Sequence, residues 1–167
     1  RGRDIRVYFR GAATGSHKAM PFIHDYSHGI RQYVLAHFRG EEGWLVSADN
    51  DHAKYHAELA RSKMCLAPPG WELWSVRFFE AILLGCVPVI ISDHLELPFQ
   101  ARIDYSKFTI KVPQADLPNL PQILNSVTDA AIERKHRAMQ QAWKAVTFQR
   151  PGGGGDAWSL LVEELEA

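Results

Sequence analysis

The chain has 167 residues, a length for one domain at roughly 100–200 residues each. Apolar residues make up 46% and charged residues 23%, the balance of a globular protein with a core rather than of a disordered chain. Lys+Arg and Asp+Glu are each 19, so the formal net charge is zero; this argues against a nucleic-acid partner held by a broad positive field and leaves room for a local anion site.

Residues 5–9 (IRVYF) form a β-rich run, ended by Arg10-Gly11, and residues 12–21 read as a loop. Asp25-Tyr26-Ser27-His28 opens a helical pattern carrying Ile30, Tyr33, Val34 and Phe38. A second strand is expected at 43–48 (GWLVSA). Asp51 is placed to cap the next helix, with Tyr55, Leu59 and Ala60. A third strand at 64–67 (MCLA) is closed by Pro68-Pro69-Gly70. The spacing of Val76, Phe79, Ile82 and Leu83 predicts a helix over 73–84, with Gly85 as its C′ residue. Residues 87–91 (VPVII) read as a strand buried on both faces, and 108–112 as a fifth strand. Helices are expected at 120–127 and 130–146, a Gly-rich linker at 151–155, and a last helix at 156–167 capped by Asp156.

Strands alternating with helices imply right-handed βαβ units and an α/β, Rossmann-like, doubly wound parallel sheet. Ligands in such folds sit beyond the carboxyl ends of the strands. No apolar run approaches the ~20 residues of a membrane span. The start, Arg-Gly-Arg-Asp, has neither Met nor a signal-like stretch, so the sequence reads as a domain cut from something larger. The two cysteines, Cys65 and Cys86, lie in apolar surroundings and read by themselves as buried thiols.

The densest polar convergence is at 68–80, PPGWELWSVRFFE. A Pro/Gly loop ending in Gly70 leads into a helix whose first turns carry Ser75 and Arg77. A helix N-terminus favours an anion, and Arg can grip a phosphate with two donors. Glu80 shares the face of Arg77 and is suited to both hydroxyls of a ribose; the plain alternative is a surface i,i+3 ion pair. Glu72 and Glu80 also have a spacing seen in sugar-nucleotide enzymes, one carboxylate serving the sugar and the other the ribose. Asp49-Asn50-Asp51 has the D-x-D form of metal-dependent transferases, but such clusters are ordinary turns and caps. His52 and His56 stand at i,i+4 on a polar face and read as solvated side chains. No metal site is expected.

Residues 62–99, SKMCLAPPGWELWSVRFFEAILLGCVPVIISDHLELPF, closely resemble the core signature of the exostosin-like glycosyltransferases. Tyr26-Ser27-His28-Gly29-Ile30-Arg31-Gln32 looks like the family's Y-S-x-G-x-R-Q, and Asp104-Tyr105-Ser106-Lys107-Phe108 like its D-Y-S-K-F. The resemblance covers roughly residues 4–112. It implies one half of a GT-B fold, the C-terminal nucleotide-sugar-binding domain, spanning 1–150 here. The implied activity is inverting transfer from a UDP-sugar to a glycan acceptor, for a cell-wall or proteoglycan polysaccharide, without a cofactor. The implied partner is the N-terminal half of the same enzyme, and the implied place is the Golgi lumen, on a type II membrane anchor upstream of this chain. Arg77 matches the family arginine on the diphosphate, Glu80 the acid on the ribose, Ser75 the signature serine, and Arg31 a second basic contact. Arg10 and Gly11 are placed to line the same cleft. Tyr55 matches an aromatic that packs against the uracil. Both cysteines match family positions, so a Cys65–Cys86 disulfide stands beside two buried thiols. The catalytic base is expected outside this chain, with Asp93 and His94 as the in-chain candidates. Trp71, Glu72 and Trp74 depart from the family pattern near the expected sugar position, and Trp71 with Trp74 could equally form an aromatic sugar platform in a non-catalytic nucleotide- or glycan-binding domain.

Overall fold

In chain order the elements are β1 (Ile5–Arg10), α1 (Ile30–His37), β2 (Trp44–Ser47), α2 (His52–Ala60), β3 (Ser62–Ala67), α3 (Arg77–Leu83), β4 (Val87–Ile90), β5 (Ile110–Lys111), α4 (Leu120–Ser126), α5 (Asp129–Ala142) and α6 (Ala157–Leu165). They come from a computed structural model that describes residues 2–13, 26–49, 51–148 and 155–166. The expected helix start at Asp25, and the expected linker except Gly155, lie outside the described residues.

The five strands form one sheet in the order β2-β1-β3-β4-β5, every pairing parallel. Side chains alternate across it, as the period of two requires. Val7, Phe9, Met64, Leu66, Val87 and Val89 pack on one face with Val34 of α1 and Leu120 and Leu124 of α4. Tyr8 and Cys65 point to the opposite face, toward Leu59 of α2 and Ala81 of α3. Ile90 meets Phe78 and Ile82 of α3 there, together with Tyr105 and Phe108. Helices on both faces explain why β3 and β4 read as unbroken apolar runs.

Several ends follow from local chemistry. Asp51 caps α2 by accepting from the Lys54 N–H. Thr128 and Asp156 do the same for α5 and α6. At the end of α3 the Gly85 N–H reaches the Ile82 carbonyl and the Cys86 N–H reaches Ala81, with Gly85 at φ 75°. This is a Schellman motif, and glycine fits its left-handed position. Cys86 is joined to Cys65 of β3 by a disulfide, with Cα atoms 5.8 Å apart. The motif therefore ties α3 directly to the sheet. At the other end of the chain, Ala157 and Leu160 of α6 pack inward and Arg102 pairs with Glu163.

Several elements are shorter than expected, three of them markedly. α3 begins at Arg77 and not at 73, because the Pro/Gly loop continues through Ser75 and Val76. β5 keeps only two residues, since Tyr105–Lys107 turn as a 3-10 segment before it. The helix expected over 130–146 is α5 followed by a 3-10 turn, Trp143–Val146. α1 is preceded by a 3-10 turn, Tyr26–Gly29, in which Ser27, His28 and Gly29 all have positive φ. For the two non-glycine residues that conformation costs about 1–2 kcal/mol each. It is held in place where the Ser27 N–H donates to the Gly70 carbonyl, pinning the Pro/Gly loop to the head of α1.

Candidate functional site

Beyond the carboxyl end of β1 lies a cavity of about 310 Å³, within the range of ligand pockets. β1 and the residue after it supply Arg10 and Gly11. The segment after β2 supplies Asp49, and α2 with its cap supplies Asp51, His52, Tyr55 and His56. Arg31 enters from α1, and Ser75, Val76, Arg77 and Glu80 from the start of α3.

Arg77 and Arg31 are the centre of this site. Arg77 is the first residue of α3, and its guanidinium turns back toward β1. There Nη2 donates to the Arg10 carbonyl at 2.6 Å, and the guanidinium carbon lies 5.0 Å from the centre of the Phe9 ring. A Cβ at Gly11 would fall 2.4 Å from that Nη2, so Gly11 is the space Arg77 occupies. The Arg77 Nε is buried without a partner among the described residues. Arg31 is buried; its Nε donates to the Pro69 carbonyl at 2.9 Å and Nη1 to the Tyr26 hydroxyl at 2.5 Å. Among the described residues neither guanidinium is ion-paired. Burial, followed by the charge of Arg77, pulls the Arg31 pKa down to about 10. Two cations are thus held close together against their own repulsion, an arrangement that an anion relieves.

Arg10 is different. Its guanidinium is gripped by Glu58 through two contacts of 2.8 Å and is also bound to Asp49. Burial works against the Arg10 charge, but Glu58 and the Tyr8 hydroxyl outweigh it and raise the Arg10 pKa. Arg10 lines the cavity, yet its charge is already matched. Its carbonyl seats Arg77.

The i,i+3 ion pair between Arg77 and Glu80 does not form. Glu80 Oε2 instead accepts from the Tyr55 hydroxyl at 2.6 Å, and His56 Nε2 stands 4.0 Å from Oε1. Tyr55 packs against Tyr8 and the Arg77 guanidinium, and burial raises its phenol pKa. Its half-buried ring lines the cavity behind Glu80. Ser75 Oγ is buried beside the cavity with no partner among the described residues. α3 runs for only seven residues, so its dipole adds little to the two arginines.

Other residues singled out from the sequence have partners of their own or lie away from this cavity. Gly70 does not line the cavity; its N–H and carbonyl fold the loop and hold Ser27. Glu72 is exposed and does not line the cavity that Glu80 lines. Asp93 and His94 are exposed and also outside it, and Asp93 accepts from the Gln114 N–H at 3.1 Å. Asp49 is occupied by Arg10 and by Ser47 Oγ, and Asp51 by the cap and Lys54. No group of three metal-ligating side chains occurs among the described residues. Trp71 packs edge-on against Tyr26, while Trp74 packs against Phe79 and lines a different cavity, so they make no common platform. Glu58 escaped the sequence reading; its only signal is that it follows Tyr55 by three residues, on the same face of α2.

The domain model described as Exostosin GT47 matches residues 1–127. The chain belongs to the exostosin GT47 family. Within it, the chain is similar to a protein of Oryza sativa subsp. japonica named "Probable glucuronosyltransferase", with 35% identity over 165 residues. The match takes in 98% of this chain and 39% of that protein. It is also similar to a "Probable beta-1,4-xylosyltransferase" of Arabidopsis thaliana, 34% identical over 165 residues, covering 98% of this chain and 40% of the relative. The chain thus spans about two fifths of the length of these GT47 relatives.

Proposed function

We propose that this chain is the donor-binding part of an inverting glycosyltransferase that takes a UDP-sugar and builds a cell-wall type polysaccharide. The observation that carries the reading is the convergence of Arg31 and Arg77, neither ion-paired among the described residues, on one cavity at the carboxyl end of β1. A diphosphate between them satisfies both charges and the free Nε of Arg77. Ser75 Oγ donates to a phosphate oxygen, and Glu80 accepts from the ribose hydroxyls while Tyr55 holds its other oxygen. The names of the relatives support xylose or glucuronic acid as the sugar moved.

In the transfer, a base takes the proton of the acceptor hydroxyl as its oxygen attacks the anomeric carbon. The bond to UDP breaks on the opposite face, and the leaving diphosphate gains negative charge. Arg31 and Arg77 are already oriented toward that charge, so the site needs little reorganisation in the transition state. They also supply the positive charge a metal would otherwise bring, so in this reading no metal is required. Asp93 and His94 do not line the cavity, so the base is assigned to the N-terminal half, with the acceptor. The buried Cys65–Cys86 disulfide supports an oxidising compartment such as the Golgi lumen.

Calorimetric titration of UDP into the protein, with and without EDTA, tests this. Binding is expected in both conditions and is expected to be lost in Arg77→Ala. The same variant is expected to slow transfer by on the order of 10²–10³. Binding that needs a divalent metal, or that persists in Arg77→Ala, overturns the assignment.

A further inference from the structure

A nucleoside diphosphate is a chain of three parts in fixed order: phosphates, ribose, base. With the donor site as proposed above, the first two parts have places, at Arg31 and Arg77 and at Glu80. Glu80 lies one turn along α3 from Arg77, so the base continues past Glu80, away from the arginines. Two aromatic side chains of α2 are candidates there. Tyr55 is committed, its hydroxyl to Glu80 and its ring to Arg77 and Tyr8. His56 is not. Its side chain is 67% exposed, and its Nε2 lies 4.0 Å from Glu80 Oε1. It lines the cavity and meets the Tyr55 ring in an edge contact at 5.2 Å and 70°. That contact braces the imidazole on one side, while the side chain stays largely exposed at the cavity. His52, one turn earlier on α2, extends the same wall.

We infer that the His56 imidazole is the stacking surface for the donor's pyrimidine base, a specificity residue of this site. A flat imidazole stacks on a nucleobase as the other aromatic side chains do. Aromatic stacking of one base carries about 5- to 150-fold in affinity when the ring is removed. The place is set by Glu80 and Tyr55, and the sequence alone pointed to Tyr55 for this role.

The test uses the full-length protein and two probes, UDP and inorganic pyrophosphate, with wild type, His56→Ala, His56→Phe and Arg77→Ala. His56 is exposed, so its substitution leaves the packing intact. His56→Ala is expected to weaken UDP by roughly 5- to 150-fold and to leave pyrophosphate unchanged. His56→Phe is expected to restore UDP. Arg77→Ala is expected to weaken both probes. UDP affinity unchanged in His56→Ala, or both probes weakened equally by it, overturns the base assignment while a loss in Arg77→Ala leaves the donor site standing. Failure of wild type to bind either probe, or indifference of both to Arg77→Ala, overturns the donor site and this inference with it.

Discussion

Glu58→Gln removes the charge of a buried carboxylate that holds Arg10 through two contacts of 2.8 Å. Orphaning one member of a buried ion pair typically costs about 3–5 kcal/mol, because the remaining charge stays out of water. Two features lower that figure here. Glutamine keeps one oxygen to accept a hydrogen bond, worth about 1 kcal/mol. Asp49 stays bound to Arg10, but its side chain is 58% exposed, and such pairs contribute roughly 0–1 kcal/mol. The expected loss is therefore about 1–4 kcal/mol. Urea unfolding measures it, as a lower midpoint at unchanged slope. A second consequence is specific to the geometry. The Arg10 carbonyl seats Arg77, so the folded variant is also expected to bind pyrophosphate more weakly. Replacing Arg10 and Glu58 together by methionine removes both charges and is expected to recover most of the stability. A loss below about 1 kcal/mol in Glu58→Gln would refute the reasoning, because Asp49 and water would then suffice for Arg10.

Gly11→Ala places a methyl on the Arg77 guanidinium; UDP affinity is expected to fall at least about tenfold while the urea midpoint barely moves, since the far end of a flexible side chain gives way. Cys65→Ala/Cys86→Ala opens a bridge between residues 21 apart, and equilibrium unfolding is expected to show a loss of about 3 kcal/mol. Pyrophosphate is expected to raise the melting temperature by neutralising the pair of arginines, with about 2.7 kcal/mol gained at a hundredfold excess over Kd and no gain in Arg77→Ala. His136 is held below its usual pKa by burial and by Arg3. The unfolded chain takes up that proton first, so stability falls as pH drops below about 6.5, and melting curves of His136→Gln at pH 7.5 and 5.5 are expected to differ less than those of wild type.

Much of the architecture was legible along the chain because it depends on near neighbours. The alternation of apolar runs with helical spacing set the parallel sheet, Asp51 and Asp156 announced their helices, and Gly85 marked the end of α3. The ordered motifs from Tyr26 to Phe108 carried the family, which the domain match over 1–127 establishes. Where α3 begins was less legible, because Val76 and Phe79 keep helical spacing while the loop before them is tied by Gly70 to the Glu72 and Trp74 carbonyls.

What the sequence determined by itself was thus the layer order of the fold and the set of polar residues near the β1 edge. Only the tertiary structure decided what each of them does there. Arg10, Arg31 and Arg77 are alike as letters, yet Arg10 meets Glu58 across 48 residues while the other two meet no carboxylate among the described residues. Glu72 and Glu80 are the same residue eight positions apart, yet one is exposed in the loop and the other, on α3, is held by Tyr55, 25 residues away. Trp71 and Trp74 diverge in the same way, onto Tyr26 and Phe79. The physical reason is common to all three cases. Whether a charge is free or matched, and whether a ring is open or covered, depends on partners from other strands and helices, and sequence spacing carries no record of which side chains those elements bring within a few ångströms.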